Sequence, residues 1–229
     1  MNDLMKSDRR IRVALLVPSS NTVMENDLHS ALPKDHYTVH TDRMYLTETT
    51  REKELEMIER YAPQAASDLA TLAPDVLVFG CTSAGSLFGL DYDARICREL
   101  GENASCAGMG VISAVAEALD EQPGKRLAVI TPYNQDLTQS VAKAALGNRE
   151  LVCAHGMGIT DNRALADPTP ADIVAFAKDK LAGEHFDVLF VSCTNFRAVE
   201  AREALQKMFG VPVVTSNSAV IDALLKLEK

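Results

Sequence analysis

The chain has 229 residues, 47% of them hydrophobic and 24% charged, with a formal net charge of −9. That is an ordinary soluble composition, long enough for one large domain or two small ones with real cores. The acidic balance, with no basic tract and no aromatic–basic interleaving, argues against a nucleic-acid partner, and no apolar run approaches the roughly 20 residues of a membrane span. Five cysteines without disulfide spacing fit a reducing compartment. Residues 1–10 are polar and carry no apolar signal core, so the expected location is the cytoplasm.

Residues 1–10 read as a frayed lead-in. The apolar run 11–17 reads as a buried strand, closed by the turn Pro18-Ser19-Ser20-Asn21-Thr22 and followed by a helix over 22–31. A second strand is expected over 37–43. Helical spacing then runs from 50 to 72, with Leu55, Ile58, Ala62, Ala65, Ala66 and Leu69 as its apolar stripe and Pro63 bending or dividing it. A third strand, 75–79, leads through Gly80 into Cys81-Thr82-Ser83. A helix over 91–100, a strand over 105–111 and a helix over 113–119 complete the first half.

The pattern then restarts. A strand over 125–133 ends on Pro132-Tyr133, and the order continues with helix 137–145, strand 151–155 and helix 169–181. Next comes strand 186–191, ending on Ser192-Cys193-Thr194-Asn195, then helix 198–208, strand 211–215 and helix 218–227. Pro18 matches Pro132, Cys81 matches Cys193, and Ser113-Ala114-Val115 matches Ser218-Ala219-Val220, in order and at nearly constant offset. Three matches in register imply two homologous α/β lobes, each a small parallel sheet with helices on both faces. The expected division puts 1–104 with 211–229 in one lobe and 105–210 in the other, with the cleft between them as the site.

Cys81 and Cys193 are the candidate catalytic pair. Ligands of open α/β sheets gather at the carboxyl ends of strands, and a strand-to-helix junction offers amides that lower a thiol pKa. Cys97, Cys106 and Cys153 read as core filling instead. Neither Cys81 nor Cys193 has a second Cys or a His at metal-ligand spacing, and the five histidines form no such set, so no metal is expected. Gly108 with Gly110, and Gly156 with Gly158, lack the third glycine of a dinucleotide fingerprint, so no organic cofactor is expected either. The turn 19–22 reads as an N-cap or as an anion nest for a carboxylate. Thr82, Ser83, Thr194 and Asn195 share that ambiguity at the same sheet edge. Tyr133 reads as a donor into the cleft or a packing residue, Asn162 as a loop asparagine, and Arg197 as part of a solvated helix face.

Val17-Pro18-Ser19-Ser20-Asn21-Thr22 with Met24-Glu25, then Gly80-Cys81-Thr82-Ser83, Pro132-Tyr133, Asn162 and Ser192-Cys193-Thr194-Asn195 resemble the aspartate/glutamate racemase superfamily. The opening resembles most the maleate cis-trans isomerases, and ectoine-utilisation proteins share it. Arylmalonate decarboxylases share the fold and a Thr-Ser pair, but carry glycine at the first Cys position. The resemblance implies Cys81 as a nucleophile toward an alkene carbon and Cys193 as its proton partner. It also implies Asn21, Tyr133 and Asn162 as carboxylate ligands. Ser83 is a departure, since that position is often apolar in the isomerases. A two-base amino-acid racemase and a non-catalytic binding module are the other readings. The expected partners are a small carboxylate substrate and further copies of the chain in a dimer or tetramer.

Overall fold

The computed structural model describes residues 9–228, so most of the expected lead-in lies outside the described residues. Its eight strands form two separate parallel sheets of four. The first runs β2 (Tyr37–Met44), β1 (Ile11–Pro18), β3 (Val76–Phe79), β4 (Ala107–Gly110). The second runs β6 (Glu150–Gly156), β5 (Arg126–Thr131), β7 (Val188–Val191), β8 (Val213–Thr215). Adding four to each strand number of the first order gives the second, the internal repeat expressed as topology.

The strand cores are continuous apolar runs because both faces are covered. In the first sheet Val13, Leu15, Val17, Val76 and Val78 face one cluster, while Ala14, Leu16, Leu77 and Phe79 face another. That alternation is the period-2 geometry of a pleated strand. Leu127–Ile130 and Val188–Val191 of the second sheet belong to the first of these clusters, so one core runs through both halves.

Strand pairing corrects the expected division. The expected division puts 105–110 in the second lobe and 211–215 in the first, yet β4 pairs with β3 and β8 pairs with β7. Each edge strand completes the ladder of the strand that precedes it by one crossover, as short right-handed connections require. What crosses is the helix that follows. α6 (Val111–Asp120) and α10 (Ser216–Leu225) pack on each other, α6 also touching α7 (Gln135–Ala145) and α10 touching α1 (Met24–Ala31).

The helix expected over 50–72 is three pieces: α2 (Arg51–Glu56), a π-helical turn (Met57–Tyr61) and α3 (Ala62–Ala70), with Pro63 in the first turn of α3. The extra residue in the π turn rotates the buried face. Ala62, Ala65, Ala66 and Leu69 are buried as expected, but upstream the buried pair is Glu54 and Met57, and Leu55 and Ile58 are only half-buried. Two further helices, α4 (Thr82–Ser86) and α5 (Leu90–Asn103), follow Cys81. The second half adds α8 (Pro170–Lys180) and α9 (Ala198–Phe209).

Candidate active site

β3 and β7 are interior strands of their sheets, and each delivers a cysteine two residues past its last residue. Gly80 makes the first delivery possible. A Cβ there would sit 2.6 Å from the Leu16 carbonyl oxygen, to which the Gly80 amide donates at 2.7 Å. Cys81 then caps α4, its sulfur 3.6 Å from the Ser83 hydroxyl. Cys193 differs from expectation: it precedes a turn rather than a helix, and α9 begins only at Ala198. Its φ of 107° is a left-handed conformation for a residue with a side chain. Such strain costs on the order of 1–3 kcal/mol and persists where the surroundings over-determine it. Here the Cys193 amide donates to Ser216 Oγ at 3.0 Å, and the Asn195 amide donates to the Cys193 sulfur at 3.3 Å.

The carboxyl edges of the two sheets are stitched together. Asn21 Nδ2 donates to Thr194 Oγ1 at 3.1 Å, and that hydroxyl donates onward to the Gly80 carbonyl at 3.0 Å. The Thr22 amide donates to Asn195 Oδ1 (2.9 Å), Asn195 Nδ2 to the Asn162 carbonyl (2.8 Å), and Asn162 Nδ2 to Ser20 Oγ (2.7 Å). Thr82 donates to Ser216 Oγ at 3.0 Å. The loops after β2 and β6 also meet, through the Asn162 amide on the Thr47 carbonyl and Thr49 Oγ1 on the Thr160 carbonyl. Asn21, Thr82, Ser83, Tyr133, Asn162, Thr194 and Asn195 are thus all gathered around the two cysteines, each no more than 3% exposed.

Two local expectations are corrected. The amides of Ser19, Asn21, Thr22, Val23 and Met24 all go to protein acceptors, with Asn21 Oδ1 taking the last two. These five amides are committed to bracing the helix entry, which favours the N-cap reading of the turn over the anion nest. Arg43 completes the brace, donating to the Ser19 and Asn21 carbonyls and pairing with Glu25. The thiols are also not lowered. Burial pushes both Cys81 and Cys193 up to about 12, and the Glu54 charge adds to the rise. The Ala84 amide and Ser83 hydroxyl pull Cys81 back only in part, as the Tyr133 hydroxyl and Asn195 amide do for Cys193. Desolvation outweighs a few amide dipoles because it acts on the whole charge. Burial, then the two sulfurs, push the Tyr133 hydroxyl well above its ordinary value. Arg197 pairs with Glu200 on a solvated face, as expected.

A model of the arylmalonate decarboxylase family matches residues 13–228. The chain belongs to that family. Its relatives include the maleate isomerase of Pseudomonas putida, 29% identical over 94% of this chain and 90% of the other. A crystal structure of a Pseudomonas putida maleate isomerase superposes with a TM-score of 0.88 at 22% identity, covering 96% of this chain and 93% of that one. A Nocardia farcinica maleate cis-trans isomerase variant with a covalently bound succinylcysteine intermediate superposes with a TM-score of 0.84 at 23% identity, covering 95% and 92%. These structural likenesses show a shared fold.

Two residues of this family member escaped sequence reasoning. Ser216 ties the halves together by accepting from both the Cys193 amide and Thr82, and nothing in a run of small polar residues ahead of a helix marks it. Glu54 lies 1% exposed beside Ser83, close enough to both thiols to raise them. Burial lifts its carboxyl from 4.5 to about 7, with the Ser83 hydroxyl opposing. In sequence it is one charge among Arg51-Glu52-Lys53-Glu54, and the π turn that rotates it inward leaves no local signal. Among the described residues, Glu54 and Asp93 are the fully buried acids, and no Lys, Arg or His is buried to that degree.

Proposed function

We propose that the protein is a cofactor-independent cis-trans isomerase of a small cis-butenedioate such as maleate, with Cys81 as nucleophile and Cys193 as proton partner. The observation that supports it most is the pair of buried thiols at equivalent strand ends of two repeated sheets, coupled to each other and to Tyr133. Identities of 26% and 29% to maleate isomerases over 95% and 94% of the chain support it too.

A C=C bond does not rotate, so the enzyme must lower its order. The Cys81 thiolate adds to one alkene carbon, and the displaced electron pair moves to the other carbon, which takes the proton of Cys193. The resulting single bond rotates. The Cys193 thiolate then removes the same proton, the pair re-forms the double bond, and the Cys81 sulfur leaves. Asn21, Tyr133 and Asn162 hold the carboxylates, while Thr82, Ser83, Thr194 and Asn195 line the remainder. A protonated Cys193 suits this scheme because it must begin as the donor, whereas Cys81, raised to about 12 as well, must lose its proton to solvent before it adds. The protein works as a cytoplasmic homo-oligomer without metal, cofactor or nucleic acid. No helix among the described residues is long and apolar enough to cross a membrane.

Proton NMR of purified protein with maleate in D₂O tests the proposal. Fumarate should appear without obligatory deuterium uptake. Deuterium entering the α-position of aspartate or glutamate, with maleate untouched, would give the site to a two-base racemase.

A further inference from the structure

Glu54 lacks the partners that a buried carboxyl requires. Both its oxygens are enclosed and have no hydrogen-bond partner of ordinary geometry, although the Ser83 hydroxyl lies close enough to favour its charged form. The ionisable groups it faces are Cys81, Cys193 and Tyr133. No cation reaches it from the elements packed against α2. Arg51 lies over the Phe88 ring, Lys53 pairs with Glu56, and Arg60 of the π turn divides between Glu56 and the Tyr61 ring. Glu52 and Glu59 are exposed, and α4 carries no ionisable side chain.

A buried acceptor with nothing to accept from is costly, and a ligand that brings N–H groups relieves that cost. We propose that Glu54 is a specificity-determining residue that accepts the N–H groups of a carboxamide, so that the preferred substrate is a cis-alkene with one carboxylate and one carboxamide end. This rests on the isomerase reading above. The chemistry of that reading survives the change, because an amide carbonyl also draws electrons from the alkene and leaves its carbon open to thiolate addition. The carboxylate end goes to Asn21, Tyr133 and Asn162; the amide end goes to Glu54 and Ser83.

A dicarboxylate meets a different site. Its second carboxylate would lie beside the Glu54 charge with no cation between them, and like charges in a dry site disfavour each other. Maleate is then accepted only while Glu54 is protonated and can donate to it. Because the Glu54 carboxyl titrates near about 7, maleate turnover should fall as pH rises through that value, whereas turnover of the monoamide should not.

The test compares kcat/KM for maleate and for maleamate, its monoamide, on the wild type, Glu54→Gln and Glu54→Leu, from pH 6 to 8.5. At the alkaline end the wild type should favour maleamate by roughly 10²-fold or more, as a site built to hold an N–H donor rejects the analogue without it. Both variants should lose most of that preference and the alkaline fall with maleate. A wild type that prefers maleate at every pH overturns the proposal, and so do variants that slow both substrates equally, since that is what a structural role predicts. If the variants do not fold, the wild-type preference and its pH slope decide. If neither compound is turned over, the isomerase reading fails and binding judges Glu54 alone. A larger rise in Tm with maleamate than with maleate in the wild type supports it; equal shifts, or none, sink it.

Discussion

Replacing Glu54 by Gln should change the pH dependence of stability by an amount the structure fixes. Burial raises its carboxyl from 4.5 in the open chain to about 7 in the folded protein. A carboxyl raised on folding contributes stability that is fully present below the unfolded value and lost as pH rises through the folded one. At about 1.4 kcal/mol for each tenfold, the complete loss is about 3 kcal/mol, of which about 2 kcal/mol falls between about pH 5.5 and 8.5. Glu54→Gln keeps the shape and removes the titration. Whatever its amide costs in that enclosed place is independent of pH and cancels from the slope. Urea unfolding of both proteins across this range reads the difference directly. The variant should gain about 2 kcal/mol on the wild type from the acid to the alkaline end, or about 4–8 °C in Tm for a chain of this size. Parallel stability curves would mean that Glu54 is hydrated or paired in solution, and would refute the reasoning from its enclosure.

Cys81→Ser and Cys193→Ser should each lower turnover of the preferred substrate by at least about 10²–10⁴-fold in steady-state assays, since each removes a covalent or proton-transfer role. Asn21→Ala should destabilise the protein by about 3 kcal/mol in urea titrations, because it strips the Val23 and Met24 amides and the Thr194 hydroxyl of a buried partner. Limiting iodoacetamide followed by peptide mapping should label Cys106 and Cys153 before Cys81 and Cys193, because the first two are only half-buried and the pair is 3% exposed. Faster labelling of the pair would mean that the cleft opens widely in solution. Ser216→Ala should cost about 1–3 kcal/mol by leaving the strained Cys193 amide without an acceptor, and should lower kcat more than it raises KM.

The two Cys strands and their repeat were legible because a fully covered parallel strand must be apolar throughout. The runs at 76–79 and 188–191 announce themselves for that reason. The lobe boundary was not legible. The similarity of the Ser113 and Ser218 helices is real, but whether such a helix stays with its sheet or crosses is decided by packing between α6 and α10, which no local pattern encodes. The direction of the thiol shifts is hidden from the sequence for a related reason. The amides near Cys81 can be inferred from a strand-to-helix turn, whereas the closure that buries it depends on Asn162, Asn195 and the loops after β2 and β6. Glu54 was hidden by a π turn that moves a charged residue onto the face where helical periodicity places Leu55.

Intact-mass analysis of Cys193→Ser incubated with maleate at about pH 6, where Glu54 is largely protonated, tests the two-thiol account most directly. In this variant the serine hydroxyl or water supplies the proton that completes the adduct, but the thiolate base that would remove it again and release the product is gone. The account requires a protein heavier by one maleate, with peptide mapping placing the succinyl group on Cys81 and no adduct in Cys81→Ser. Unmodified protein in both variants, or an adduct on Cys106 or Cys153, would contradict it.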